Sequence, residues 1–408
     1  MKAIVASFSL TKEVWHRLSA RVRGGNGKTR GLSLSLVETP EPGLISSQWV
    51  KVRTIMSGVS DMDEALVVNQ DLSPFGAFIS FPFVPGNENL GIITETGDDV
   101  RGIEPGERVV IDPLLSCERR GVEPLCPSCA RGEPSSCRNF AAGILGPGIM
   151  IGACRDTSGG WADSFVAHAT QVRAIPHSME SDQAILIPEF TRAVRAVLRH
   201  PPGAGDRVII VGAGSLGLLT MHTLRILGHA NRVTVVAEYP FEGESAHKLG
   251  ASEVVTGVAP ATVYEEVADL VGGVVRYPEV GRVTMQGGAD LVYETTGHRR
   301  CVEDALSFTG EGKKLVLMGI SEPSGLDLTS LWFKGVQLRG TVFSGTETYH
   351  GEITNTFDIA MDLAAQHGLP HHEIVTHRIH IQDYQKAFQA LAYRSTSKAI
   401  KVVFQHVV

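Results

Sequence analysis

The sequence predicts an α/β protein: a doubly wound parallel sheet preceded by a strand-rich segment. Three observations predict it. From about Ala184 onward, short apolar runs alternate with stretches of helical periodicity, as repeated βα units do. Gly212-Ala213-Gly214-Ser215-Leu216-Gly217 reads G-x-G-x-x-G between one such run and the helix that follows it. Before Ala184 the runs are short, alternating or β-branched, and bounded by Gly, Pro and Asp.

In chain order, Val50 to Ile55, Gly91 to Thr96 and Arg108 to Ile111 read as strands. Arg207 to Val211 is a short apolar strand, and Leu216 to Leu227 has helical spacing with Gly228 just past its end. Arg232 to Ala237 reads as a second strand, followed by a helix reaching Leu249. Ser252 to Val255, Leu291 to Glu294 and Lys314 to Met318 are further strands separated by helices. Right-handed crossovers then place helices on both faces of the sheet. After Phe343 a helix (Glu352 to Gln366) and a short β-like tail follow. Two segments read as insertions. Thr11 to Arg30 is basic; its Gly27-Lys28-Thr29 imitates a P-loop ending, but Val22 stands where that motif needs its first glycine. It reads as a solvated hairpin or as a rim attracting an acidic substrate. Gly272 to Met285 carries no signal.

The 408 residues suggest two or three domains. A net charge of −7 gives no general attraction to polyanions, which argues against nucleic acid as the main partner. No apolar run approaches the roughly 18 residues of a membrane helix. The stretch Met1 to Leu10 is too short for a secretion signal. The expectation is a soluble cytoplasmic protein acting on a small molecule, with no membrane partner.

Cys117, Cys126, Cys129 and Cys137 lie in one segment rich in turn formers, spaced C-x8-C-x2-C-x7-C. Two thiolates across an x2 turn chelate, and two more complete a tetrahedron around one Zn2+; with no open position, that ion is structural. The plainer reading is reduced surface thiols or a redox pair. Cys154 and Cys301 stand alone and read as buried apolar fillers.

In the glycine motif the first glycine makes the turn, the second lets a pyrophosphate approach the backbone, and the third lets helix and strand pack closely. Ser215 and Leu216 open the helix, whose N-terminus supplies free N–H groups to the phosphates. An ordinary Gly-rich βα turn is the alternative. Glu238 stands at the end of the second strand, where an acidic side chain accepts both adenosine ribose hydroxyls and repels a 2′-phosphate. NAD is therefore favoured and NADP remains possible, since Ala237 takes that place if the strand ends one residue earlier.

Val84-Pro85-Gly86-Asn87-Glu88-Asn89-Leu90-Gly91 is similar to V-P-G-H-E-x-x-G, and Gly106-Glu107-Arg108-Val109 to G-D-R-V. With the cysteine lobe, Gly159-Gly160-Trp161-Ala162, the glycine motif, Lys248-Leu249-Gly250-Ala251 and Ile400-Lys401-Val402-Val403, the order resembles the medium-chain dehydrogenase/reductase family, which includes the zinc alcohol dehydrogenases. The resemblance implies a GroES-like catalytic domain (1–183 plus 345–408, with the zinc lobe at 112–140) into which a Rossmann domain (184–344) is inserted. It further implies that Met318, Gly319, Ile320, Val342 and Phe343 line the nicotinamide. Lys401 would reach toward the pyrophosphate, and the assembly would be a homodimer or homotetramer. The first cysteine spacing departs from the family's x2.

The family's catalytic zinc takes a cysteine, a histidine and a third acidic or thiol ligand. Here Ser60 replaces the cysteine, Asn87 the histidine, Met62 and Ala65 the relay groups, and Pro188-Glu189 reverses the order of the third ligand region. Hydroxyl and carboxamide are poor replacements for thiolate and imidazole toward Zn2+. The expectation is loss of the catalytic zinc, with a carboxylate site rebuilt from Asp61, Glu88 and Glu189 as the alternative.

Without that ion, an NAD(P)H-dependent reduction of an activated C=C or C=N bond is the preferred reading. Glu88 is the candidate general acid or, equally, a structural carboxylate. Ser60 and Asn87 are candidate hydrogen-bond donors to a substrate oxygen or fillers of the site, and Asp63 is catalytic or architectural. Metal-free or rebuilt-site dehydrogenation of an alcohol or polyol is a second reading, and a non-catalytic dinucleotide-binding protein a third.

Overall fold

A computed structural model describes residues 1–9, 11, 32–68, 76–229, 232–257, 260–320 and 325–406. The basic insertion past Thr11 and the first part of the loop from Asn69 lie outside the described residues.

β1 (Lys2–Phe8) pairs antiparallel with β2 (Leu32–Glu38). β3 (Trp49–Gly58) alternates buried and half-buried side chains from Val50 to Met56, as a strand with one face in the core must. β4 (Asn89–Thr96), β5 (Arg108–Ile111), β6 (Ser164–His168) and β7 (Val172–Ala174) follow. The helix α1 (Ile187–Arg199), with Pro188 in its first turn where no N–H is missed, leads into the second half. There come β8 (Val208–Val211), α2 (Ser215–Ile226), β9 (Val233–Ala237), β10 (Glu253–Thr256), β11 (Val274–Arg276), β12 (Thr284–Gln286), β13 (Ala289–Glu294), β14 (Thr309–Leu317) and β15 (Gln337–Gly340). A hairpin of β16 (Thr346–Tyr349) and β17 (Glu352–Asn355) precedes β18 (Val375–His380) and β19 (Lys401–Gln405).

Six strands form one sheet in the order β10-β9-β8-β13-β14-β15, and every pair is parallel. Counted within this unit the order is 3-2-1-4-5-6, the doubly wound arrangement. The connections leave β8 in one direction and β13 in the other, so a crevice opens past their carboxyl ends. All four side chains of β8 are buried, as expected of a strand covered on both faces. The second sheet runs β18-β19-β3-β4-β5-β7, with β6 on β3. β19 closes it by pairing antiparallel with the end of β3, Val403 opposite Gly58.

Two expectations change. The helix expected from Glu352 begins at Thr356, because Glu352 to Asn355 pair as β17, and Asn355 caps the helix by accepting from Phe357 N–H. The insertion from Gly272 is a β-hairpin, β11 against β12. Lys334 anchors it: its ammonium donates to the carbonyls of Met285, Gly287 and Ser307.

Candidate active site

The crevice beyond β8 is a cleft of about 490 Å3 lined by Gly212 to Gly217, Glu238, Asp61, Glu64, Glu189, Ile320 and Arg394, among others. Gly212 has φ +102°, and a Cβ there would meet Thr296 at 2.4 Å. Gly217 packs so tightly under the turn that a Cβ would stand 2.1 Å from the Gly212 carbonyl oxygen, whereas a Cβ on Gly214 meets nothing within 4 Å. The middle glycine thus faces open space where a pyrophosphate would approach. β9 ends at Ala237, and Glu238 is the exposed residue immediately beyond it, in the cleft wall.

Of the residues expected around the nicotinamide, Ile320 lines the cleft. Met318 is buried behind it, and Gly319 packs against Gly297. Val342 packs against the apolar cluster below, while Phe343, with φ +51°, lines a second, smaller cavity of about 20 Å3. Asn87, Glu88, Asp61, Glu189 and Arg192 also line that cavity.

β3, β4 and β19 converge at this point. Gly58 N–H donates to the Glu88 carbonyl, and Val59 N–H to the Val402 carbonyl, which brings Ser60, Glu88 and Lys401 together. Ser60 caps the short helical turn Asp61–Asp63. Its hydroxyl donates to Asp63 Oδ2 at 2.8 Å and accepts from Asn87 Nδ2 at 2.7 Å and from Asp63 N–H at 3.0 Å. Asp63 accepts further from Ser60 N–H and Gly86 N–H. Burial pushes its carboxyl up to about 6 against these hydrogen bonds. Ser60, Asn87 and Asp63 thus take up one another's hydrogen-bonding capacity, and none of the three lines the large cleft.

Lys401 departs from the expected contact with the pyrophosphate. It is 2% exposed, and its Nζ sits 2.6 Å from Glu88 Oε2 and 2.9 Å from Glu189 Oε2. Two carboxylates in a dry pocket hold an ammonium more strongly than an exposed cleft does. Burial alone would lower its pKa, but the two acids override that and raise it. Burial pushes Glu88 up to about 8, against the pull of Lys401 and with Glu189 adding to the rise.

Arg192, which the sequence reading did not single out, donates from both terminal nitrogens to Asp61 at 2.8 Å and from one of them to the Met318 carbonyl at 2.9 Å. Burial opposes the charge on Asp61, yet the guanidinium holds that carboxyl below its ordinary value. A signal existed: Glu189, Arg192, Arg195 and Arg199 are spaced as one stripe on a helix whose residues are otherwise buried and mostly apolar. Arg195 and Arg199 at the far end bind Glu133 of the cysteine lobe. Cys301 also differs from expectation, being only partly buried in the cleft wall, while Cys154 is fully buried.

In the lobe, the sulfurs of Cys117, Cys126, Cys129 and Cys137 all lie within 4.8 Å of one another, the Cys117–Cys137 pair at 3.5 Å. A tetrahedral ion with Zn–S bonds of about 2.3 Å needs sulfurs roughly 3.8 Å apart. The Cys126, Arg138 and Asn139 N–H groups and the Asn139 carboxamide point at the sulfurs, as donors to thiolates do. The donor set therefore fits zinc. Among the described residues no helix is long and apolar enough to cross a membrane.

Two family models match the chain: the alcohol dehydrogenase GroES-like domain over residues 46–177 and the zinc-binding dehydrogenase model over residues 215–366. An L-threonine 3-dehydrogenase of Legionella pneumophila (strain Corby) is 27% identical over 325 residues, 79% of this chain and 84% of that enzyme. Two solved structures share the fold. A short chain alcohol dehydrogenase of E. coli CFT073 complexed with NADH has a TM-score of 0.71 at 21% identity, covering 99% of both chains. Galactitol-1-phosphate dehydrogenase of Escherichia coli has a TM-score of 0.70 at 22% identity, covering 99% of this chain and 100% of that one. With a Rossmann sheet set into a GroES-like domain, the chain belongs to the medium-chain dehydrogenase/reductase family and is an NAD(P)-binding oxidoreductase.

Proposed function

We propose that this protein is an NADH-dependent reductase of activated C=C or C=N bonds that works without a metal at the hydride site and keeps one structural Zn2+ on Cys117, Cys126, Cys129 and Cys137. One observation carries the reading. At two of the family's metal-ligand positions Ser60 and Asn87 close on each other and on Asp63, and the Lys401 ammonium stands between Glu88 and Glu189. A hydroxyl and a carboxamide already bonded in this way do not fit Zn2+.

When bound, the nicotinamide supplies the hydride; the chain supplies position, electrostatics and a proton. The α2 N-terminus and the glycine turn hold the pyrophosphate. Glu238 accepts the ribose hydroxyls and disfavours NADP. Arg192, fixed by Asp61 and by the Met318 carbonyl, lines the smaller cavity. Glu88 keeps its proton at neutral pH behind Asp61 and Glu189, which line both spaces. It is the reservoir from which the product of hydride addition is protonated, directly or through water. Activated double bonds suit such a site because their charge is delocalised through the substrate or already positive.

The names of the relatives, dehydrogenases of L-threonine and of galactitol-1-phosphate, favour oxidation of an alcohol or polyol, metal-free or at a rebuilt carboxylate site, as the second reading. The test is turnover of NADH with a conjugated enone and with a cyclic iminium ion, before and after chelator treatment, alongside zinc analysis. We expect one zinc per chain and chelator-insensitive turnover. Two ions per chain, or turnover only as NAD+ reduction with alcohols, overturns the preferred reading.

A further inference from the structure

The helix α2 runs twelve residues from Ser215 and carries no acidic residue in its first turn and no side-chain cap. Its free N–H groups and the positive end of its dipole face the cleft, where a pyrophosphate is expected. The anion that meets this end comes instead from α1. Glu189 is 3% exposed and still lines the cleft, and its Oε1 accepts the Ser215 hydroxyl at 2.8 Å. Its other oxygen takes the Lys401 ammonium, which in turn touches Glu88. The cation expected at the phosphates thus stands one carboxylate behind them.

We propose that Glu189 is a built-in anion at the phosphate end of the cleft, and that it sets how tightly the dinucleotide binds. In the free protein it stabilises the start of α2 and holds Lys401 away from the cleft. When cofactor enters, its charge opposes the pyrophosphate in a poorly hydrated space. Affinity is thereby lower than the glycine turn alone would give, which favours release of cofactor after turnover. Replacing the carboxylate removes the opposing charge and also leaves Lys401 with a single acid, so both effects act in the same direction. The inference rests on the dinucleotide cleft and not on the metal-free hydride reading.

The experiment titrates the full chain with NADH, ADP and adenosine, by fluorescence and calorimetry, in the absence of substrate. From the size of carboxylate–phosphate repulsion at a partly hydrated site, E189Q should bind NADH and ADP about tenfold more tightly. Adenosine, which carries no phosphate, should bind it as it binds the parent protein. E189M removes the charge and fills the same space without an acceptor; it should tighten NADH and ADP by a similar factor and leave adenosine unchanged. If E189Q does not fold, E189M decides. Unchanged or weaker NADH and ADP binding in the folded variants overturns the proposal, as does an equal gain for adenosine. Because no substrate is present, that failure leaves the zinc count and chelator result untouched.

Discussion

The cysteine lobe and the end of β3 are two places where charge is gathered away from water, and they neutralise it differently. In the lobe four soft sulfurs converge, and the polar groups nearest them are N–H donors. Such a set calls for a cation from outside. At the end of β3 the converging groups are carboxylates that bring their own cations, Lys401 for Glu88 and Glu189 and Arg192 for Asp61. On the proposed reading one pocket is completed by an ion, and the other is a chain of side chains that neutralise one another. α1 links the two regions: Arg192 binds Asp61, and Arg195, about one turn further on, binds Glu133 of the lobe.

The comparison breaks most visibly in the lobe. In C129S we expect zinc content to fall from about one per chain to near zero and stability to drop by about 4 kcal/mol or more, as loss of a structural metal does. Metal analysis and urea denaturation check this, and a C129S chain as stable as its parent would mean that the lobe needs no ion.

The next effect is K401M, which leaves the buried Glu189 carboxylate, with the Glu88 carboxyl beside it, without its cation. A loss of about 3–5 kcal/mol is expected, typical of breaking a buried pair. Adding E88Q and E189Q should recover part of it, and chelator should change neither variant. If K401M takes up a second metal ion instead, the contrast between the two pockets disappears.

The smallest effect concerns protons. The Glu88 carboxyl titrates at about 8 in the folded chain, against an ordinary value of 4.5. Between those values the folded state keeps a proton that the unfolded state has released, so this group makes stability fall as pH rises through the window and adds nothing further above it. E88Q should therefore make the decline in Tm between pH 5 and 8 shallower. Asp63, raised to about 6, keeps part of the slope in the variant. An unchanged slope would mean that Glu88 is ionised throughout.

Local patterns were readable in the sequence, and long-range ones were not. The glycine turn and the cysteine lobe each lie within a short stretch whose residue types have few other uses, and both appear in the structure with the expected geometry. The alternation of strands and helices also carried over, with ends shifted by a few residues. The partners of Lys401 were out of reach: a lysine next to a β-run looks the same whether it faces phosphate or two acids, and only the pairing of β19 with β3 decides. Asp63 likewise reads as a site residue until the Ser60 cap and Gly86 are seen to occupy it. Arg192 was visible as a charge on an apolar helix, but its partner Asp61 comes from another element 131 residues away.

The pairing of β19 beside β3 also bears on how the chain matures. Glu189 leaves the ribosome 212 residues ahead of Lys401, so the acids at the heart of the enzyme are made long before the cation that quiets them. Until that strand is translated and docks beside β3, Glu88 and Glu189 lack the ammonium that they share in the folded chain. Premature termination upstream of Lys401 would leave Glu88 and Glu189 without that cation.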